Sequence, residues 1–415
     1  MKKNLFITLL LLIPLFSFAG DKGIFGIKFS GFVKNDIFYD SHQTVTAREG
    51  HFLLYPSNAL LDLNNNDINA QSSFNMLSIQ TRLKGAITGP DVLGAKTSAV
   101  IEGAFFGHTN ADINGFRLRH AFAKLRWENS ELIVGQYWHA MFITENFPAV
   151  VSFNTGVPFQ PFSRNPQVRF TQYADNFKFV FTAMSQRDFT STGPAGANSS
   201  YLRNNVLPEL NFTLHYNAKL DENTSLLLGA GVNYLSLLPS LKTVDGYVAD
   251  NKVSGISTQA FAKLKTKDIT FKLEGVYGQN NTNVLMLGGY AVSESTNPLD
   301  PTGAYEYTPT KILSLWSELH SNGKKWQVGI FTGYTKNLGM KESIYDLSMV
   351  YARGANIDYV FRVAPRIVYN EGKMRFAFEI DHTTAAYGDT QLDGKVLNAE
   401  AVSNLRFLIG VYYFF

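Results

Sequence analysis

The side chains in this sequence best suited to chemistry are arginines and lysines that recur at even spacing. Arg117 and Arg119 form one such pair, Arg362 and Arg366 another, and Arg82 with Lys84 and Lys28 with Lys34 two more. In an extended segment, residues an even number apart share a face, so each set turns its charges to one side. The same polar phase carries Lys96, Arg169, Lys178, Lys263, Lys272, Arg375 and Arg406. Its acids are Asp36, Glu102, Glu274, Glu318, Asp358, Glu379 and Asp381, so fifteen bases stand against seven acids. Guanidinium grips carboxylate or phosphate oxygens through paired hydrogen bonds, and a wall of Arg and Lys favours anions. The chemistry implied is recognition of small anions. Its candidate residues are Arg82, Arg117, Arg119, Arg169, Arg362, Arg366, Arg375 and Arg406.

Other chemistries find less support. The chain has no Cys, which excludes a thiolate nucleophile, a zinc–thiolate site and a disulfide framework. The eight His are His42, His51, His108, His120, His139, His215, His320 and His382. They are scattered, with no His-x-x-x-His pair and no nucleophile motif beside any of them, so no enzyme is expected. His120 and His382 fall on the apolar phase near strand ends, where an interfacial position accounts for them. Asp62-Leu-Asn-Asn-Asn-Asp67 offers oxygen ligands of the kind Ca²⁺ takes. It lacks the Gly and closing Glu of an EF-hand and reads as a solvated turn. Asn211-Phe212-Thr213 matches a glycosylation sequon but lies within a strand. No cofactor and no metal is expected.

The elements that must position the bases alternate with period two. Ile27, Phe29, Gly31, Val33, Ile37 and Tyr39 fall on one face, against Lys28, Ser30, Lys34, Asp36 and Asp40 on the other. Leu77, Ile79 and Leu83 oppose Ser78, Gln80, Arg82 and Lys84; Leu210, Phe212, Leu214 and Tyr216 oppose Asn211, Thr213, His215 and Asn217. Ile357, Tyr359, Phe361, Val363 and Ile367 oppose Asp358, Arg362, Arg366 and Asn370. Pro365 removes a ladder hydrogen bond there and predicts a local bulge. A soluble sandwich also alternates, so the spacing has to decide.

The pattern predicts sixteen strands, near 27–40, 72–87, 95–106, 116–127, 131–141, 166–174, 176–187, 208–219, 225–237, 254–266, 268–279, 310–320, 325–336, 357–370, 374–385 and 402–415. Tight polar turns such as Glu128-Asn129-Ser130, Asp221-Glu222-Asn223 and Ser321-Asn322-Gly323 join alternate pairs. Long connections over 41–71, 107–115, 142–165, 188–207, 238–253, 280–309, 337–356 and 386–401 join the others. An even strand number with short turns at one rim and long loops at the other describes an outer-membrane barrel. The expected fold is all-β: an antiparallel transmembrane β-barrel of 16 strands, with short periplasmic turns and long extracellular loops. Strand 16 pairs with strand 1 in such a barrel. Arginines from strands 2, 4 and 6 and from strands 14 to 16 then line one arc of wall.

Composition agrees. Charged residues make up 17% of the chain and aromatics 14%, against about 25% charged in a soluble domain. Met1-Lys2-Lys3, the apolar run Leu5–Phe16 and Ser17-Phe18-Ala19 have the layout of a secretory signal peptide. Residues 1–19 are therefore read as a signal peptide and 20–415 as one barrel domain. Without Lys2 and Lys3 the 37 bases become 35 against 34 acids. A chain so balanced is not expected to bind nucleic acid. Alternating Phe407, Ile409, Val411, Tyr413 and Phe415 end the chain on an aromatic, a pattern read by the barrel-assembly machinery of bacterial outer membranes.

Sixteen strands enclose an aqueous channel, whereas about 22 enclose a plugged lumen. Only a few residues separate Ala19 from the first strand, which leaves no room for a plug. Constriction falls to a loop, and 142–165 is the candidate. It carries Pro148, Pro158 and Pro161 among Phe142, Phe147, Phe153, Phe159 and Phe162, and a loop so aromatic is expected to fold into the lumen or onto a neighbouring subunit.

Three segments also resemble a known family. Gly31-Phe-Val-Lys-Asn-Asp-Ile-Phe-Tyr-Asp40 looks like the opening strand of DcaP-like trimeric porins. Arg117-Leu-Arg-His-Ala-Phe122 followed by Gly135-Gln-Tyr-Trp138, and Asn165-Pro-Gln-Val-Arg-Phe170, resemble the family's next segments. The resemblance covers mainly residues 27–175. It implies a homotrimer in outer-membrane lipid and lipopolysaccharide that passes small anionic solutes such as dicarboxylates, with Arg117, Arg119 and Arg169 on the lumen wall. The family often carries an N-terminal helical extension, for which the few residues between Ala19 and the first strand are expected to leave no room. The competing reading is a surface-exposed barrel with an occluded lumen, binding through loops 41–71 and 280–309 as an adhesin or receptor.

Overall fold

A chain whose strands are polar on one face and apolar on the other can shelter every edge only by closing on itself. The computed structural model describes residues 25–415 apart from His108, and does just that. The signal peptide read over residues 1–19 lies outside the described residues. The strands are β1 (Gly26–Asp40), β2 (Ser73–Leu77 and Arg82–Thr88), β3 (Lys96–Ala104) and β4 (Arg117–Arg126). Then come β5 (Ser130–Trp138), β6 (Arg164–Ala174), β7 (Phe177–Met184) and β8 (Glu209–Lys219). β9 (Ser225–Leu237), β10 (Val253–Lys265), β11 (Ile269–Gln279) and β12 (Lys311–Ser321) follow. The last four are β13 (Trp326–Gly339), β14 (Ile357–Glu371), β15 (Met374–Thr390) and β16 (Val396–Phe414). Each pairs antiparallel with its neighbours in sequence. β1 closes the ring on β16, from Phe32↔Phe414 to Asp40↔Arg406.

The two faces are sorted by polarity in the membrane sense. Phe29, Phe74, Phe181, Leu228, Val232, Ile330, Phe376 and Ile409 stand exposed on the outside. Lys34, Asp36, Arg362, Glu379 and Arg406 are buried inside. A continuous apolar exterior of this extent is far beyond what a soluble monomer exposes, and it is what lipid requires.

The backbone departs from the expected pattern in several places. The second strand is interrupted at Ser78–Thr81, where Thr81 N–H turns back to the Ser78 carbonyl. Leu77 and buried Ile79 therefore face inward while Leu83 faces lipid, so these three do not share a face. In β4 both Arg119 and His120 lie opposite Glu102, because the register shifts between Glu102 and Gly103. That bulge turns His120 inward, against the expectation of a lipid-facing residue, and seats its ring 5.5 Å from Tyr137 and 5.3 Å from Trp138. Pro365 makes no bulge: β14 keeps its register on β15 from Val363↔His382 to Arg366↔Glu379. Finally, much of the expected loop 386–401 is a hairpin, because β15 and β16 extend to Thr390 and Val396.

Candidate solute-binding lumen

Loop 142–165 folds into the barrel and is tied to the wall by hydrogen bonds along its length. Lys263 donates to the Glu145 carbonyl at 2.9 Å and Asn146 to the Leu273 carbonyl at 3.0 Å. Lys272 donates to the Phe147 carbonyl at 2.9 Å, and Ala149 N–H to Glu318 at 3.0 Å. Further along, Lys34 donates to the Val151 carbonyl at 2.9 Å, while Val151 and Ser152 N–H donate to Glu379 at 2.6 and 3.0 Å. Arg362 takes the Val157 carbonyl at 2.7 Å and Ser314 the Phe159 carbonyl at 2.9 Å. Backbone groups buried away from water must find partners; here wall side chains, most of them charged, supply several.

The loop's aromatics make the packing. Phe142 stacks on Trp138 at 4.0 Å, and Phe52, Phe106 and Phe153 meet with centroids 4.1 to 5.9 Å apart. Phe52 comes from the first long loop, so two loops meet in one apolar cluster inside the wall.

The candidate arginines separate into groups. Arg82, Arg117 and Arg119 come together, joined by Arg164 at the start of β6. Glu102 accepts from Arg119 at 2.8 Å and lies 3.4 Å from Arg82. Asp188 bonds Arg117 and lies 2.6 Å from Arg164. Four guanidiniums thus share two carboxylates, and Nε of Arg82, Nε of Arg117 and Nη1 of Arg164 keep buried protons without an acceptor among the described residues. Arg82 is the member water reaches, with 22% of its side chain exposed.

The remaining candidates sit apart. Arg362 lies 3.1 Å from Asp381 and spans loop carbonyls of Val157, Leu53 and Leu54. Arg406 bonds Asp40 at 2.6 Å, and Arg366 shares Glu318 with Lys272. Arg169 donates to the Trp138 carbonyl at 2.7 Å below the loop. Arg375 lies at the short-turn rim, bonded to Asn370 at 2.8 Å and stacked on Phe414. β16 and β1 pair, yet the arginines meet mostly carboxylates rather than forming a bare arc.

Under the loop lies a cavity of about 170 Å³ lined by Lys124, Glu131, Glu145, Arg169, Lys178 and His215, among others. Lys178 holds Glu145 at 2.5 Å and Lys124 holds Glu131 at 3.1 Å, leaving Arg169 without an acid of its own there. The first-loop segment Asp62–Asp67, read from sequence as a solvated turn, is closed on itself: Asp62 accepts Asn64 and Asn66 N–H at 2.8 Å.

Sequence reading missed Arg164, Asp188 and Asp40 as parts of this network. Arg164 falls in the expected loop because β6 begins two residues before the expected limit, whereas Asp188 does lie in a loop, beyond the end of β7 at Met184. Asp40 was on the polar phase and went uncounted.

No family model and no curated protein sequence matches the chain. Solved structures do. The outer membrane channel DcaP of Acinetobacter baumannii superposes with a TM-score of 0.68 at 15% identity, covering 94% of this chain and 97% of that one. The fold is that of an outer-membrane porin. Outer-membrane expressed OmpT of Vibrio cholerae superposes on the same porin fold at 0.55, with 11% identity and coverage of 94% and 98%. An anion-selective porin from Comamonas acidovorans does so at 0.53, with 11% identity and coverage of 94% and 100%. At these identities the porin fold is what is shared.

Proposed function

We propose that the protein is an outer-membrane porin that lets small hydrophilic anions, carboxylates foremost, diffuse through a lumen narrowed by loop 142–165. One observation carries the reading: among the described residues, Arg82, Arg117, Arg119 and Arg164 share only Glu102 and Asp188. Two positive charges are left over in this group, and Arg82, with 22% of its side chain exposed, is the member that can meet a carboxylate. Neighbours of the same fold support it, including a porin described as anion-selective. The candidate solute contacts are Arg82, at the water-reached edge, and Arg169 in the cavity below the loop, with Arg117 and Arg119 setting the local potential. Arg362, Arg366 and Arg406 act through carboxylates, holding the loop and wall that bound the path, and Arg375 charges the periplasmic mouth. The chain is exported by a cleaved signal peptide, and Phe415, whose backbone exchanges two hydrogen bonds with Gly31, presents the assembly signal. A homotrimer in lipopolysaccharide-containing membrane is the proposed assembled state; a V. cholerae protein of the same fold is described in a trimer form.

The aromatic cluster inside the wall favours a second reading, an occluded barrel that binds through its loops. Single-channel recording of refolded protein in planar bilayers under a KCl gradient decides between them. Stepwise conductance with a chloride-directed reversal potential is expected. Cation-directed reversal removes the arginine argument, and folded barrels without conductance establish the second reading.

A further inference from the structure

Four of the long loops meet at one hollow on their rim. A small sheet of loop segments underlies it, with Gly288–Val292 between Tyr307–Pro309 and Val350–Arg353. Its register sets Tyr351 opposite Tyr290 and Tyr307 opposite Val292. Residues directly opposite share a face, as do residues two apart on one strand. Tyr290, Tyr307 and Tyr351 therefore stand on one side of the sheet. Tyr290 is fully buried, and its ring packs 5.7 Å from that of Tyr307 and 5.4 Å from that of Tyr351.

The hollow holds about 280 Å³. Tyr305, Tyr307 and Tyr351 line it together with Lys242, Thr243 and Asn251 of loop 238–253. Asn251 donates to Glu306 at 2.7 Å, which ties loop 238–253 to loop 280–309 beside the tyrosines. Pro194 of loop 188–207 also lines the hollow. At the adjacent Gly193, where a Cβ would fall 2.6 Å from it, lies the Tyr290 hydroxyl. That hydroxyl is buried and has no hydrogen-bond partner among the described residues. A buried hydroxyl left unpaired is costly, so this end of the hollow calls for a polar guest.

The lining selects the guest. Three tyrosine rings offer flat apolar faces, while a hydroxyl, an amide and the phenol groups offer neutral donors and acceptors. Among the described residues, Lys242 is the one charged group of the lining. Its charge opposes a quaternary ammonium, the usual guest of an aromatic cage, and no arginine fork lines the hollow to grip a phosphate. A pyranose carries C–H groups on its faces and hydroxyls around its edge, and it matches both parts of this surface.

We propose that the hollow binds a hexose-type saccharide unit, with its C–H face on the tyrosines and its hydroxyls toward Thr243, Asn251 and the Tyr290 end. The site is built from the loops and does not rest on the anion-porin reading.

The test is saturation-transfer NMR on the folded barrel in lauryldimethylamine oxide, a detergent without a sugar head. The probes are the methyl glycosides of glucose, galactose and mannose. Transfer to the ring protons of at least one glycoside is expected. Tyr305→Ala, which removes one ring face, should weaken that binding about fivefold. Val244→Trp, a large side chain on an exposed lining residue, should abolish it. Heat-modifiable gel mobility verifies that each variant is folded. Retention of native protein, but not of Val244→Trp, on agarose carrying the same hexose would assign the site to the end of a glycan; binding of the free glycoside alone would assign it to a free sugar. Silence of all three glycosides, choline or inorganic phosphate binding in their place, or equal binding by Val244→Trp overturns the proposal. So does a glycoside that blocks current through native and Val244→Trp barrels alike, which would put the sugar in the lumen.

Discussion

Glu379 on β15 accepts the backbone N–H of Val151 at 2.6 Å, so a carboxylate of the barrel wall holds the middle of an inward-folded loop. Ser152 N–H joins it at 3.0 Å, and Lys34 of β1 takes the Val151 carbonyl from the other side. Strands distant in sequence thereby meet at one peptide of loop 142–165.

That contact makes loop position testable. Hydrogen bonds to a charged acceptor contribute about 1.5–3 kcal/mol each, and leaving buried N–H groups unpaired costs more. Glu379→Ala should therefore free the loop's middle. Single-channel recording should show a larger, flickering conductance than the native barrel, with heat-modifiable mobility preserved. A conductance indistinguishable from native would remove the loop from the path.

Selectivity should follow the acid that two arginines share. Glu102→Gln removes the negative charge between Arg82 and Arg119 without changing shape. The chloride-to-potassium permeability ratio should rise by roughly twofold, a small change because exposed Arg82 is partly screened by salt. Arg82→Glu should move the ratio the other way. Reversal potentials under a KCl gradient read both variants, and equal ratios in all three proteins would refute a selectivity role for the cluster.

The barrel itself was legible because a transmembrane strand must alternate, and its turns must be polar. Ser225–Leu237 forms β9 with the limits the pattern predicts. The inward fold of loop 142–165 was signalled by its prolines and phenylalanines, which have no reason to face water. What alternation cannot encode is a break in its own phase. Ser78–Thr81 and the Arg119–His120 bulge depend on how neighbouring strands register, and nothing local in either segment announces them. Ion pairing was equally hidden: Arg406 meets Asp40 across the closing strands, more than three hundred residues away in the chain. A tally of inward bases therefore overstates the free positive charge.

The first long loop should respond to acid. Asp62 accepts the backbone N–H groups of Asn66 and Asn64, and these bonds hold its carboxyl below the usual carboxylate range. A depressed folded value stabilises the turn above the ordinary carboxylate pKa, about 3.9. That support fades as pH falls from there through the folded value. Hydrogen exchange of residues 62–67 should be protected and flat from pH 7 to about 5, then quicken relative to intrinsic rates below about 4. At Asn64 and Asn66, whose N–H groups Asp62 holds, Asp62→Asn should abolish the acid-dependent step. A step that persists in this variant would assign the response to another group.

Glu274 provides the sharpest test of wall energetics. It is an inward residue of β11, fully buried, paired across to Phe261 on one side and Trp316 on the other. Neither of its carboxylate oxygens has a hydrogen-bond partner among the described residues. A buried acid without partners is costly, and an apolar residue of similar volume removes that cost. Glu274→Leu should accordingly raise the urea midpoint for unfolding from lipid vesicles, whereas Glu318→Leu, which strips Lys272 and Arg366 of their shared partner, should lower it. A loss of stability in Glu274→Leu would mean that the carboxylate is satisfied in the membrane, and that water or a cation reaches behind the loop.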